Sequence, residues 1–336
     1  MKKLLQINGF LIGVMVAVGL AWLLPDLGAK GGLLRSEIST RIGVFIIFVI
    51  QGLTLPTNEL KQGLLQVRLH AVCQLSIFLW APILLWLVLC ISESFIEVPS
   101  DLRVGFYFLA ILPTTVSTAI VFTSKAEGNV AGALFNTSVA NVLGVFIVPL
   151  FMTFVLKDTV AGADAGQVLN LLGKISQIIL VPLIIGQVLR IWYADWAKAK
   201  KKALSKVNVY IIYFMIYAAF CNSVKKGLWN DYGLDTVGIA FGLSLLFLLL
   251  MTGSVYLFSR ILKFDTKNQT TILFCGAQKT LAAGVPMANT IFIAERPELG
   301  LVLLPIMFYH PSQILLGSYL MSFFEKKVKA EQKRAS

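Results

Sequence analysis

The sequence predicts an all-α polytopic membrane protein, and three observations predict it. Hydrophobic residues make up 57% of the chain and charged residues only 14%, with a mean hydropathy of +0.80. Soluble domains carry about a quarter charged residues. Apolar runs of about 20 residues, enough to cross a ~30 Å hydrocarbon core, recur from one end to the other. The charges gather between those runs. A net charge of +12 would suit nucleic acid, but its basic residues lie in the connections, where membrane orientation accounts for them. Nucleic acid is therefore not an expected partner, and membrane lipid is.

Ten runs follow in order: 7–24, 38–55, 69–91, 102–124, 130–156, 168–193, 207–224, 237–258, 270–293 and 299–324. The first, after Lys2 and Lys3, mimics a secretory leader. It is too long for a leader's apolar core and no small-residue cleavage pattern follows, so it reads as a spanning helix. Connections are short; the longest polar one, 194–206, is rich in lysine and is expected to be a loop. Cys73, Cys90, Cys221 and Cys275 lie in or beside runs without CxxC spacing. They read as small apolar residues, neither disulfides nor metal ligands. Lys174, less than two turns inside the sixth run, is expected to snorkel outward.

Of the 29 lysines and arginines, nineteen fall on the N-terminus, the C-terminal tail and the connections of one side. Eight fall on the other side, and Lys174 and Lys279 lie within runs. That bias places both termini in the cytoplasm, in a cell membrane, which is the inner membrane if the cell is Gram-negative. Ten spans divide into two sets of five, 1–160 and 161–336, within one membrane domain. An odd number of spans per repeat turns the second set upside down, the inverted-repeat plan of many carriers.

The ninth run is the unusual one. Its apolar ends enclose Gly276, Gln278, Lys279 and Thr280, then Gly284 and Pro286. A mid-membrane lysine is expensive unless it faces protein, a partner or water. Nearby Gly and Pro weaken the helix and free backbone groups, which a bilayer tolerates only where they are buried in protein or line a cavity. The bland reading is a kinked helix whose lysine snorkels, but Lys279 is far from either end. In the fourth run, Pro113, Thr114 and Thr115 are followed by Ser117 and Thr118. Membrane hydroxyls often bond to their own backbone, so this stretch gains weight from its partner: corresponding interrupted helices in two halves point to a binding site.

Two further stretches carry polarity. In 127–144, Asn129, Ala133, Asn136, Ala140 and Gly144 recur at helical spacing, with Thr137 and Asn141 flanking them. Such a small, polar face packs helices closely, and Asn136 or Thr137 is also expected to face the cavity. In 309–313, His310 beside Pro311 reads first as a satisfied core residue, and Gln313 as lining the pathway. No HExxH, GxSxG or paired carboxylates are present, so no catalytic set and no enzyme is expected.

The stretches ILPTTVSTAIVFTSKAEGNVAGALFNTS (111–138), FCGAQKTLAAGVPMAN (274–289) and YHPSQILLGS (309–318) resemble the bile acid:sodium symporter superfamily, more narrowly its SBF-like branch, over nearly the whole chain. The resemblance implies two inverted five-helix repeats and a core domain of spans 3–5 and 8–10 against a panel of spans 1, 2, 6 and 7. Spans 4 and 9 would be broken and cross at their breaks. The sodium-coupled branch carries a glutamate on span 9, just before a Gly-x-Gln. Aligned on Gly276 and Gln278, its place is taken by Phe274. The Ser-Asn pair of span 4 falls on Thr118 and Ala119, the Ser and Thr of span 5 on Ala133 and Thr137, and the glutamine of span 3 on Ile77, one turn after Gln74. Thr118, Thr137, Gln278 and the carbonyls of Cys275 and Ala277 remain as ligands. Both sodium sites thus read as degraded, which puts sodium coupling in question, and no other cofactor or metal is implied.

The expectation is a secondary active transporter of a small organic anion, working by alternating access. Its substrate- or ion-binding residues would be Thr114, Thr115, Thr118, Asn136, Thr137, Cys275, Ala277, Gln278, Lys279 and Gln313. The alternative is a membrane regulator or scaffold that keeps the carrier fold, although a scaffold has no need of mid-membrane polarity. Lys279 is expected to face the cavity in one of three roles: occupying a sodium ion's space, balancing an anionic substrate, or carrying a proton. Replacing it with alanine should then stop transport and leave the fold intact.

Overall fold

The computed structural model describes residues 2–54, 66–156, 165–228, 232–292 and 299–335. Among these, every regular element is a helix. We number them α1 (Lys2–Leu23), α2 (Ser36–Thr54), α3 (Val67–Ser92), α4 (Ser100–Ile111), α5 (Val116–Lys125), α6 (Val130–Leu156), α7 (Ala165–Ala199), α8 (Lys201–Lys225), α9 (Leu234–Ile261), α10 (Thr266–Ala277), α11 (Leu281–Ile291) and α12 (Leu299–Ala335). A single helical turn, Pro25–Gly28, follows α1.

Seven of these helices are long and apolar enough to cross a hydrocarbon core, and α4 with α5, bent by 51°, passes the same test as a pair and makes eight if the pair is one span. Large apolar side chains such as Met15, Trp22, Phe45, Phe154, Ile184, Trp192 and Leu249 are exposed on the outside. Water would not tolerate that much exposed hydrocarbon, whereas lipid does. The chain is a multi-pass membrane protein.

Glycine sets two close approaches. A Cβ at Gly52 of α2 would sit 2.2 Å from Leu183 O, and one at Gly186 of α7 would sit 2.2 Å from Val49 O, so these helices meet backbone to backbone. A Cβ at Gly144 of α6 would come within 2.8 Å of the Pro113 ring, so α6 packs directly against the first interruption. This is the small face that the helical spacing in 127–144 predicts.

The centre of the bundle is the pair α10 and α11. From Gln269 to Thr290 every residue except Ala282 is buried. The interruption spans Gln278, Lys279 and Thr280, at the front of the weak stretch seen in the sequence. Pro286 does not break the chain: it lies inside α11, in a turn where Asn289 Nδ2 donates to Val285 O and Thr290 Oγ1 to Pro286 O.

Two expectations are corrected. The lysine-rich connection 194–206 is helical on both sides of Lys200, because its alanines and lysines are strong helix formers. The third run is not a regular helix: Ser76–Trp80 forms a π-turn between two α-helical stretches. The side chain of Lys174 lies outside the described residues.

Candidate functional site: two helix interruptions in contact

Each interruption has the same local construction. At the first, α4 ends and Leu112 turns extended (ψ 143°); Thr115 then caps α5, its Oγ1 accepting from Thr118 N at 3.4 Å. At the second, α10 ends and Gln278 turns extended (ψ 148°); Thr280 caps α11, its Oγ1 accepting from Ala283 N at 3.3 Å. Threonine suits both places because its hydroxyl satisfies an otherwise orphaned N3 amide. Thr280 N donates to Pro113 O at 2.9 Å, so the interruptions are in direct contact. At the start of each second half-helix one residue is exposed, Ser117 in α5 and Ala282 in α11.

The side chains around this contact form one network. Thr118 Oγ1 donates to Gln278 Oε1 at 2.7 Å and lies 2.9 Å from Thr115 Oγ1. Gln313 of α12 accepts from Lys279 N and donates to Lys279 O, both at 2.7 Å. The second N–H of Gln313 faces His310 Nδ1 at 2.8 Å, and the same Nδ1 lies 3.4 Å from Lys279 O. Tyr309 OH donates to Ala277 O at 2.7 Å. Asn141 of α6 donates to Thr114 O at 3.0 Å and to Thr137 O at 2.8 Å. Gln51 of α2 reaches Asn141 Oδ1 at 3.3 Å. Buried groups without a partner include Thr114 Oγ1 and Gln278 Nε2.

Lys279 is fully buried, the one lysine or arginine so placed among the described residues. Its Nζ donates to Ala110 O at 2.6 Å, Leu112 O at 2.9 Å and Ile77 O at 3.0 Å. An ammonium has three N–H groups, one for each of the three carbonyls. Hydrogen bonds to a charged group contribute about 1.5–3 kcal/mol each. Three of them are enough to offset the ~2.5–3.5 kcal/mol that a lysine costs at mid-membrane on insertion scales. The expectation of a cavity-facing charge is therefore corrected: the ammonium points into packed backbone, because the two breaks supply it with free carbonyls.

The network thus unites Thr114, Thr115, Thr118, Ala277, Gln278, Lys279 and Gln313, with Thr137 attached through Asn141. It leaves Asn136 and Cys275 outside. Asn136 Nδ2 lies 3.0 Å from His70 Nδ1, and Gln74 Nε2 donates to the Asn136 backbone and side-chain oxygens. Cys275 Sγ donates to Ala133 O at 3.9 Å. Both hold α3, α6 and α10 together. Ala110 and Leu112 escaped notice in the sequence, and Ile77 was reached only through the resemblance, since a carbonyl has no residue-type signature. Pro82, unable to donate from its nitrogen, was the available signal for Ile77.

Ala277 O is taken by Tyr309, Gln278 Oε1 by Thr118, and no aspartate or glutamate among the described residues is buried.

A membrane-embedded bundle closed around two touching helix interruptions defines the class: a multi-pass membrane protein with its polarity gathered at an interior crossing. The chain belongs to the SBF-like CPA transporter family, which it matches over residues 8–326. It is 32% identical over 333 residues to sodium/bile acid cotransporter 7-A of Xenopus laevis, covering 96% of this chain and 93% of that one. It is 31% identical over 335 residues to sodium/bile acid cotransporter 7 of Mus musculus, covering 96% and 94%. It is also 34% identical over 321 residues to the protein PA2026 of Pseudomonas aeruginosa, covering 95% and 93%. The protein is a transporter, not an enzyme.

Proposed function

We propose that the protein is a secondary active transporter that moves a small organic anion by alternating access and does not require sodium to do so. One observation carries this reading: two interrupted helices touch at the hydrogen bond from Thr280 to Pro113, and each opens the N-terminus of a half-helix beside an exposed residue. Half-helix N-termini present unpaired amides and a partial positive charge, which favour an anion. Discontinuous membrane helices are the usual setting of such sites in carriers. The substrate would meet the break between Ser117 and Ala282, with Thr114, Thr115, Thr118, Gln278 and Gln313 shaping the polar surface behind it.

The same reading treats α4 with α5, and α10 with α11, as the corresponding spans of two inverted five-helix repeats, 1–160 and 161–336, in a ten-span chain. The matching threonine caps support that symmetry. Both termini would be cytoplasmic, in the inner membrane if the cell is Gram-negative. The names of the vertebrate relatives pair sodium with a bile acid; in this reading the Lys279 ammonium stands in for the ion, and no buried carboxylate lies among the described residues to hold one.

Uptake of a mixed pool of organic anions into liposomes containing the purified protein tests this. Accumulation of at least one anion above that in empty liposomes is expected. Failure of every anion to enter, with the protein folded, would leave a scaffold that has kept the carrier fold.

A further inference from the structure

We propose that the carbonyls of Ile77, Ala110 and Leu112 form a monovalent-cation site that the chain fills with its own Lys279 ammonium. Two irregularities free the three oxygens. In the π-turn of α3, Ala81 N donates to Ser76 O and so bypasses Ile77 O. The next residue in register to take Ile77 O is Pro82, which has no N–H. Helix α4 stops at Ile111, Leu112 is extended, and Pro113 again lacks an N–H, so Ala110 O and Leu112 O face away from their own helix. Two unrelated chain events converge on one point, 2.6–3.0 Å from a single nitrogen.

The chemistry of the cage is that of a small monovalent cation. It offers backbone carbonyl oxygens, which replace a hydration shell in ion filters. No carboxylate adjoins it among the described residues, so a divalent ion would be left under-neutralised. Two of the oxygens end α4, where the helix dipole adds negative potential. The tethered ammonium meets these demands without leaving or arriving. It also ties α3 to both interruptions, since Lys279 belongs to the second and Leu112 to the first. This goes beyond the transport reading and is independent of it: the cage holds a cation whether or not a solute moves.

Lys279→Ala empties the cage and Lys279→Met fills it with an uncharged chain of similar length. The purified proteins are melted in sodium, potassium, methylammonium or choline chloride at one ionic strength. The unmodified protein should melt alike in all four salts. The alanine variant should melt lower in choline and recover by roughly 5 °C or more in at least one of the small cations, saturably. The methionine variant should melt lower and gain nothing. If the alanine variant does not survive extraction in choline, recovery of folded protein in a small cation supports the proposal. An alanine variant that fails in every salt, or that responds to choline as to the small cations, overturns it.

Discussion

Gln313 grips Lys279 by both backbone atoms, accepting from its amide and donating to its carbonyl at 2.7 Å each. The helix between α10 and α11 is lost there, and the amide side chain supplies the two hydrogen bonds that the helix would have made. The contact places α12 directly behind the second interruption, and it fixes where the Lys279 side chain starts on its way to the carbonyls of α3 and α4.

Gln313→Glu tests this grip. A carboxylate can accept from Lys279 N but cannot donate to Lys279 O. The lost bond should destabilise the protein by about 0.5–1.5 kcal/mol. Amide exchange at Gln278 and Lys279 should speed up more than exchange within α9. Equal protection in variant and parent would show that the grip is dispensable.

Tyr309→Phe removes a single hydroxyl from Ala277 O and leaves the ring, fully buried against Phe247, in place. The expected loss is about 1 kcal/mol in thermal or denaturant unfolding, with folding and membrane insertion unchanged. A loss near that of a core cavity, ~3–5 kcal/mol, would mean that the ring and not the hydroxyl was disturbed.

Glycine 144 and glycine 19 form a matched pair. A Cβ at Gly144 would press on the Pro113 ring at 2.8 Å, while one at Gly19 meets nothing within 4 Å. Gly144→Ala should therefore lower the melting temperature and shift the first interruption, at a cost of about 1–3 kcal/mol. Gly19→Ala should be neutral or slightly stabilising. The reverse order would contradict the packing of α6 on the break.

Orientation is tested by a single cysteine at Lys226, after removal of the exposed Cys90. The excess of lysine and arginine on the opposite side predicts labelling from outside intact cells. Labelling only after permeabilisation would reverse the topology.

Much of the site was legible because proline, glycine and charge are rare inside a membrane. Pro113 with its threonines marked the first interruption, and Gly276 with Lys279 the second, to within a few residues. The details that decide Lys279's role were not legible. Its partners are carbonyls, available only because a π-turn precedes Pro82 and α4 stops short of Pro113, and neither event follows from residue type alone. Gln313 could be read as polar and interior, but not as a clamp on another helix's backbone. The run 194–206 misled for the opposite reason: its lysines signalled a loop, and helix propensity kept it helical.

The central claim is that the charge at the crossing belongs to the chain and not to sodium. The most direct measurement is the uptake of a transported anion into liposomes as external sodium is replaced by choline at constant ionic strength. The account predicts the same initial rate, within about twofold, at every sodium concentration. A steep, saturable rise of uptake with sodium would contradict it.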